Sequence, residues 1–126
     1  MLILSLIALV FSGCFQLFGP GPSTAILTVF NPAKNQQAIL FLKGGNTTSG
    51  DSMQISIKDG DEILGDTEVG NIFTADNAHV GIALDTNAIK LKWLNNNKLE
   101  IDYNKKLRTF IKVDRYNNNL ILYKTF

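Results

Sequence analysis

Beyond residue 22 the chain alternates short apolar runs with clusters of Gly, Asn and Asp, and no apolar stripe of helical period and useful length appears. Residues 23–30 are rich in β-branched side chains and end at Asn31-Pro32. Residues 38–42 form an unbroken apolar run, the pattern of a strand covered on both faces. Met53, Ile55 and Ile57 alternate with Ser52, Gln54, Ser56 and Lys58, which predicts a half-buried strand with a solvated polar face. Further strands are expected at 71–75, 80–84, 89–94, 98–103, 107–113 and 120–125. Short strands separated by regular turn signals predict an all-β fold, a single antiparallel β-sandwich or barrel-like domain over residues 23–126.

One register can be derived on paper. A three-residue loop at Asn95-Asn96-Asn97 sets Trp93 opposite Leu99, Leu91 opposite Ile101 and Ile89 opposite Tyr103 on one face. On the other face Lys92 then meets Glu100 and Lys90 meets Asp102. A slip of one residue would destroy both patterns together, so a single register satisfies them. The carboxylates of this hairpin are therefore read as sheet partners of lysines and not as a catalytic pair. A second asparagine run, 117–119, marks another hairpin whose register is ambiguous.

The first residues are of a different kind. Residues 2–11 are apolar, too few to cross a bilayer as a helix but the length of a signal-peptide core. Ser12-Gly13-Cys14 follows, and the stretch resembles bacterial lipoprotein signals, in which two small residues precede a cysteine that takes a diacylglycerol on its sulfur. Phe11 stands where leucine is usual, and no basic residue occurs before Lys34, the pattern left by a start placed too late. The resemblance implies a signal peptide at 1–13, lipidation at Cys14, and a Gly-Pro-rich tether over 14–22. An uncleaved apolar anchor or a buried first strand is the competing reading. Phe15 and Gln16 are not Asp, which in a Gram-negative host resembles sorting to the outer membrane. Cys14 is the only cysteine, so no intrachain disulfide exists.

With 126 residues and a formal charge of +1, the chain is the size of one domain and has no global pull toward a polyanion. The balance hides a split. Residues 34–85 carry three basic and eight acidic side chains, a net of −5, and residues 86–126 carry nine and three, a net of +6. Lys105, Lys106, Arg108, Lys112 and Arg115 lack acidic partners that the sequence identifies, and they are the candidate binding residues. The expected partners are the membrane through the lipid anchor, and an acidic envelope protein or anionic lipid. Nucleic acid is not expected, because no aromatic-interleaved stacking platform is evident. Two solvated faces of opposite sign would give the same split.

Candidate chemistry is sparse. The polar loop 44–51 lacks a phosphate-binding lysine and leads into a strand, not a helix. Asp59, Asp61, Glu62, Asp66 and Glu68 do not follow calcium-loop spacing and read as a solvated loop. His79 is the only histidine and has no cysteine or histidine partners for a metal, so no metal and no cofactor is expected. The chain is therefore read as a non-catalytic binding module, whose partner could be another envelope protein, a polysaccharide, or an enzyme or toxin that it neutralises. The alternative is a small envelope hydrolase using loop 44–51 with His79, for which Ser49 or Ser52 could serve as nucleophile, although no nucleophile-elbow motif is present.

Four segments together resemble a group of small bacterial proteins of unknown role, many of them lipoproteins. They are Gly45-Asn46-Thr47-Thr48, Ser52-Met53-Gln54-Ile55-Ser56-Ile57, Gly70-Asn71-Ile72-Phe73 and the Trp93 hairpin. Where members of the group often carry a cysteine, this chain has Gly44. The resemblance implies a lipid-anchored protein of the bacterial envelope and no particular activity.

Overall fold

The computed structural model describes residues 21–44, 50–78 and 80–126. Cys14, the expected signal peptide, residues 45–49 and His79 lie outside the described residues.

The described residues form strands and connections without a helix. Two sheets face each other as a sandwich. In the first, β1 (Ser23–Phe30), β2 (Gln36–Lys43), β3 (Ser52–Asp59), β4 (Phe73–Asp76) and β7 (Arg108–Lys112) lie in the order β1-β2-β3-β4-β7. In the second, β5 (Ile89–Asn95), β6 (Lys98–Tyr103), β8 (Arg115–Tyr116) and β9 (Asn119–Thr125) lie in the order β5-β6-β9-β8. The expectation of a wholly antiparallel fold needs one correction. β6 and β9 run parallel, Lys98 beside Leu120 through Tyr103 beside Thr125. A parallel neighbour needs a long crossover, and here the chain leaves β6, adds β7 to the first sheet, and returns through β8. The expected strand at 80–84 is also absent. Val80 is exposed and Gly81 takes a φ of +81°, so this apolar run lies in a turn region and not in a ladder.

The core is filled by the inward residues that period two selects. Ala38, Leu40, Met53, Ile55, Phe73 and Ala75 come from the first sheet, and Ile89, Leu99, Ile101 and Ile121 from the second, all essentially without exposure. The derived hairpin register holds from Ile89↔Tyr103 through Trp93↔Leu99. It then shifts past Leu94 to pair Asn95 with Lys98, so the turn is two residues with a bulge, not three. The second asparagine hairpin pairs Tyr116 with Asn119, and Asn117 at φ +53° supplies the left-handed turn residue.

The polar face of β3 departs from its expected place in solvent. Gln54 and Ser56 are buried, as are Gln37, Ile39, Phe41 and Lys43 on the same face of β2. The connection 60–72 lies over them and bonds to them. Gln37 Nε2 donates to the carbonyls of Asp59 and Glu62 at 2.8 and 2.6 Å, and Lys43 Nζ donates to those of Thr67 and Glu68 at 3.0 and 3.2 Å. The Gly70 and Asn71 amides donate to Gln54 Oε1 and Ser56 Oγ at 2.7 and 3.2 Å. Gly70 is required at that approach, since a Cβ there would stand 2.7 Å from the Phe73 carbonyl oxygen and 3.0 Å from the Ile55 amide.

One end of the sandwich is tied by amides. Asn31, 1% exposed, donates to Asn35 Oδ1 at 2.7 Å and to the Asn96 carbonyl at 3.0 Å, while its own Oδ1 accepts from the amides of Asn35 and Gln36. Asn96 Oδ1 accepts from the Ala33 amide at 2.8 Å, and Gln36 and Asn119 exchange hydrogen bonds at 3.1 and 2.8 Å. The β1–β2 turn of one sheet is thereby joined to the β5–β6 turn and the start of β9 in the other. On the β1 side Trp93 adds a further tie, its indole N–H donating to the Val29 carbonyl at 2.8 Å.

Candidate binding surface

The five cations singled out from the sequence do not form one patch. Lys105 and Lys106 lie in the exposed turn after β6, Arg108 and Lys112 on β7 of the first sheet, and Arg115 on β8 of the second. Two of them have partners. Arg108 grips Asp76, its cross-strand neighbour, with two bonds of 3.0 and 2.7 Å, and that carboxylate raises the guanidinium's already high pKa. Lys112 Nζ donates to the Tyr103 hydroxyl at 3.1 Å and stands 5.5 and 5.2 Å from the ring centres of Tyr103 and Tyr123. Those rings pack with Phe73 at centroid distances of 5.4 and 6.2 Å. Burial pushes the Tyr123 phenol well above its ordinary pKa, and its hydroxyl donates to the Val113 carbonyl at 2.7 Å. Lys112 thus caps an aromatic cluster at the edge of the core.

The structure assembles a different set of cations. Alternation along β5, β6 and β9 sends Ile89, Leu99, Ile101 and Ile121 inward and their neighbours outward. The pairings align those neighbours in rows across the outer face of the second sheet. Lys90, Asp102 and Lys124 form the first row, and Lys92, Glu100 and Leu122 the second. Lys98, Leu120 and Arg115 form the third. Among the described residues this face therefore carries five cations against two carboxylates, both on β6. Glu100 is nearly buried and takes Lys124 at 3.0 Å, which raises the lysine's pKa. Lys90 and Lys92 do stand opposite Asp102 and Glu100 as derived. The salt bridge at Glu100, however, goes to the parallel neighbour Lys124. Among the described residues neither Lys92 nor Lys98 joins an ion pair within 4.0 Å. Leu94 and Leu122 are 42% and 37% exposed, so apolar side chains accompany the lysines.

The sequence reading set Lys90 and Lys92 aside as neutralised, and it omitted Lys98 and Lys124. The shared outward parity of Lys90, Lys92 and Lys98 in β5 and β6 was legible. The placement of β9 beside β6, which brings Lys124 and Arg115 to the same face, was not.

The opposite outer face is acidic. Asp59, Asp61, Glu62, Asp66 and Glu68 lie at the end of β3 and in the connection that covers the first sheet. This segment is not simply solvated. Lys58 Nζ bonds Glu68 at 2.6 Å and stands 3.6 Å from Glu62, with the Lys58 and Glu68 side chains 15% and 19% exposed. Burial works to raise the Glu68 pKa, but bonds from Lys58, the Gly65 amide and Ser56 outweigh it and hold the carboxyl below its usual range. The bond to Glu68 raises the Lys58 pKa in turn.

Of the alternative catalytic arrangement, His79 and residues 45–49 of loop 44–51, Ser49 among them, lie outside the described residues, while Ser52 lies in β3 opposite Lys43 and accepts from Gln54 Nε2 at 2.9 Å. Among those described, no group of three or more metal-ligating side chains is present, and no helix is long and apolar enough to cross a membrane. No family model, no curated protein and no solved structure matches the chain.

Proposed function

We propose that this protein is a lipid-tethered, non-catalytic binding module of the bacterial envelope, which lays the outer face of β5-β6-β9-β8 on an anionic membrane surface. The observation that carries the reading is the gathering of Lys90, Lys92, Lys98, Lys124 and Arg115 on one sheet face among exposed leucines. A sheet face bearing dispersed cations suits a headgroup layer, where each Lys or Arg near the surface contributes about 1 kcal/mol. Acylation of Cys14 would hold the domain beside that layer and make a weak surface contact effective.

Two measurements test the reading. Radiolabelled fatty acid should enter the wild type and not Cys14→Ser, and equal labelling would remove the anchor. The soluble chain from Gly21 onward should co-sediment with vesicles containing phosphatidylglycerol and not with phosphatidylcholine vesicles. Added salt should release it, because exposed charges are screened over about 8 Å at physiological ionic strength. Reversing Lys90, Lys92 and Lys98 to Glu should abolish sedimentation. Binding indifferent to lipid charge or to the substitutions would refute the surface. Retention of an acidic envelope protein by that same face, without vesicle binding, would replace the lipid by a protein partner.

A further inference from the structure

A second site lies away from the basic face. Where the end of β3 meets the β8–β9 turn there is a cavity of about 170 Å³, lined almost wholly by polar groups. Its walls include Lys58, Asp59, Glu62 and Asn71 from the first sheet and its covering connection, and Tyr116 and Asn117 from the second. Part of the wall is locked in place. Asn71 uses both ends of its amide on Ile57, accepting from the backbone N–H and donating to the carbonyl, each at 2.9 Å. Lys58 is held by Glu68. Glu62 also lines the space and stands only loosely beside Lys58, at 3.6 Å, while the Asp59 carboxylate, the Tyr116 hydroxyl and the Asn117 amide bond no other described side chain or backbone group.

This combination restricts the ligand. The volume is below the roughly 300–1,000 Å³ usual for organic cofactors and drug-sized molecules, and the lining offers little to an apolar one. The lining's one cation is engaged by Glu68, so a phosphate or sulfate has no counter-charge. The lining offers two carboxylates, fewer than a metal-ligating cluster needs. A carboxylate accepts two hydroxyl hydrogens, a primary amide both donates and accepts, and a phenol does either. Neighbouring hydroxyls on a compact ring match that set. We propose that the cavity binds one neutral saccharide ring, with Asp59, Asn117 and the Tyr116 hydroxyl bonding its hydroxyls. This assignment is independent of the basic sheet face.

The test is an NMR titration of the ¹⁵N-labelled full chain in detergent with glucose, galactose and N-acetylglucosamine, and with glycerol as a flexible polyol control. At least one sugar should give saturable shifts at the amides of residues 57–62, 71 and 116–117, in the millimolar range, and glycerol should not. Asp59→Asn and Asn117→Gly should each weaken that binding about tenfold or more, the scale of a lost charge-assisted or multiple hydrogen bond. Both should fold, since Asp59 is exposed and glycine accepts the positive φ of residue 117. Tyr116→Phe should weaken that binding by less than either, since one neutral hydrogen bond is lost. Reversal of Lys90, Lys92 and Lys98 should leave sugar binding unchanged. No saturable shift with any of the three sugars would overturn the proposal. So would shifts confined to residues outside the cavity, or binding that survives both Asp59→Asn and Asn117→Gly.

Discussion

Trp93 offers the sharpest test of how the sandwich is held. Its ring is half-buried against the core and its N–H reaches the Val29 carbonyl at 2.8 Å, linking β5 of one sheet to β1 of the other. Removing the indole has two separable effects. A tryptophan buries about 150–250 Å² when enclosed. Half of that, at roughly 25 cal/mol per Å², gives about 2–3 kcal/mol for the apolar contact. The hydrogen bond adds about 1 kcal/mol, because Val29 is itself half-exposed and water can replace the donor. Trp93→Ala should therefore cost about 3–4 kcal/mol, and Trp93→Phe about 1–2 kcal/mol, since it keeps most of the packing and loses the bond. Urea unfolding followed by far-ultraviolet circular dichroism measures both without using the tryptophan as its own probe. For a domain of this size each kcal/mol should lower Tm by about 4–8 °C. A midpoint for Trp93→Ala within error of the wild type, at unchanged denaturant slope, would refute the reasoning. The ring would then be free to act as a contact residue instead of a clasp.

Two further perturbations address the first sheet's cover. Glu68→Gln should destabilise by about 1–3 kcal/mol near neutral pH, because it leaves Lys58 short of its closest anion. The sign with pH follows from the lowered Glu68 pKa and the raised Lys58 pKa. Glu68 contributes above its unfolded value of 4.5 and ceases to contribute as the pH falls through its lower folded value. Lys58 contributes below 10.5 and ceases as the pH rises through its higher folded value. The wild-type advantage over Glu68→Gln in urea melts should shrink on the acid side, and an advantage that grew there would contradict the pairing. Gly70→Ala should cost about 1–3 kcal/mol by forcing a methyl against β3 and β4 backbone atoms, and a neutral result in the same melts would place the connection farther from the sheet.

How much could be read from the chain depended on whether information was local. The hairpin of β5 and β6 was legible to the residue, because apolar parity and charge parity both fix one register. Its turn was misread by one residue, since a bulge at Leu94 leaves no sign in composition. The strand at β3 was legible, but its environment was not. Gln54 and Ser56 look like a solvent face to any period-two argument, and only the fold reveals that 60–72 folds back to supply their partners. The asparagines were read as turn formers, which Asn117 is, while the cross-sheet bonds of Asn31, Asn96 and Asn119 depend on residues 60 or more positions away. The parallel pairing of β6 and β9 is illegible for a like reason, and the candidate surface turns on it. Without β9 beside β6, Lys124 and Arg115 are scattered cations.

The split of charge along the chain acquires a physical meaning only in three dimensions. The acidic half supplies β3, β4 and the connection that covers the first sheet, and the basic half supplies all of the second. Part of the linear asymmetry of −5 against +6 thus becomes a separation across the thickness of the sandwich, with acid over the first sheet and base on the outer face of the second, while Arg108 and Lys112 lie on β7 of the first sheet and Lys105 and Lys106 in the turn after β6. The half-buried pair of Lys58 and Glu68 and the bidentate pair of Arg108 and Asp76 absorb part of each excess. Lys92 and Lys98 remain outside any such pair among the described residues. Near a negatively charged surface a domain so divided experiences a torque as well as an attraction, because its two faces are pushed in opposite senses. Orientation would then be set before contact, with the basic sheet toward the surface. The acidic connection, with Glu62 in the wall of the polar cavity, would turn away from that surface.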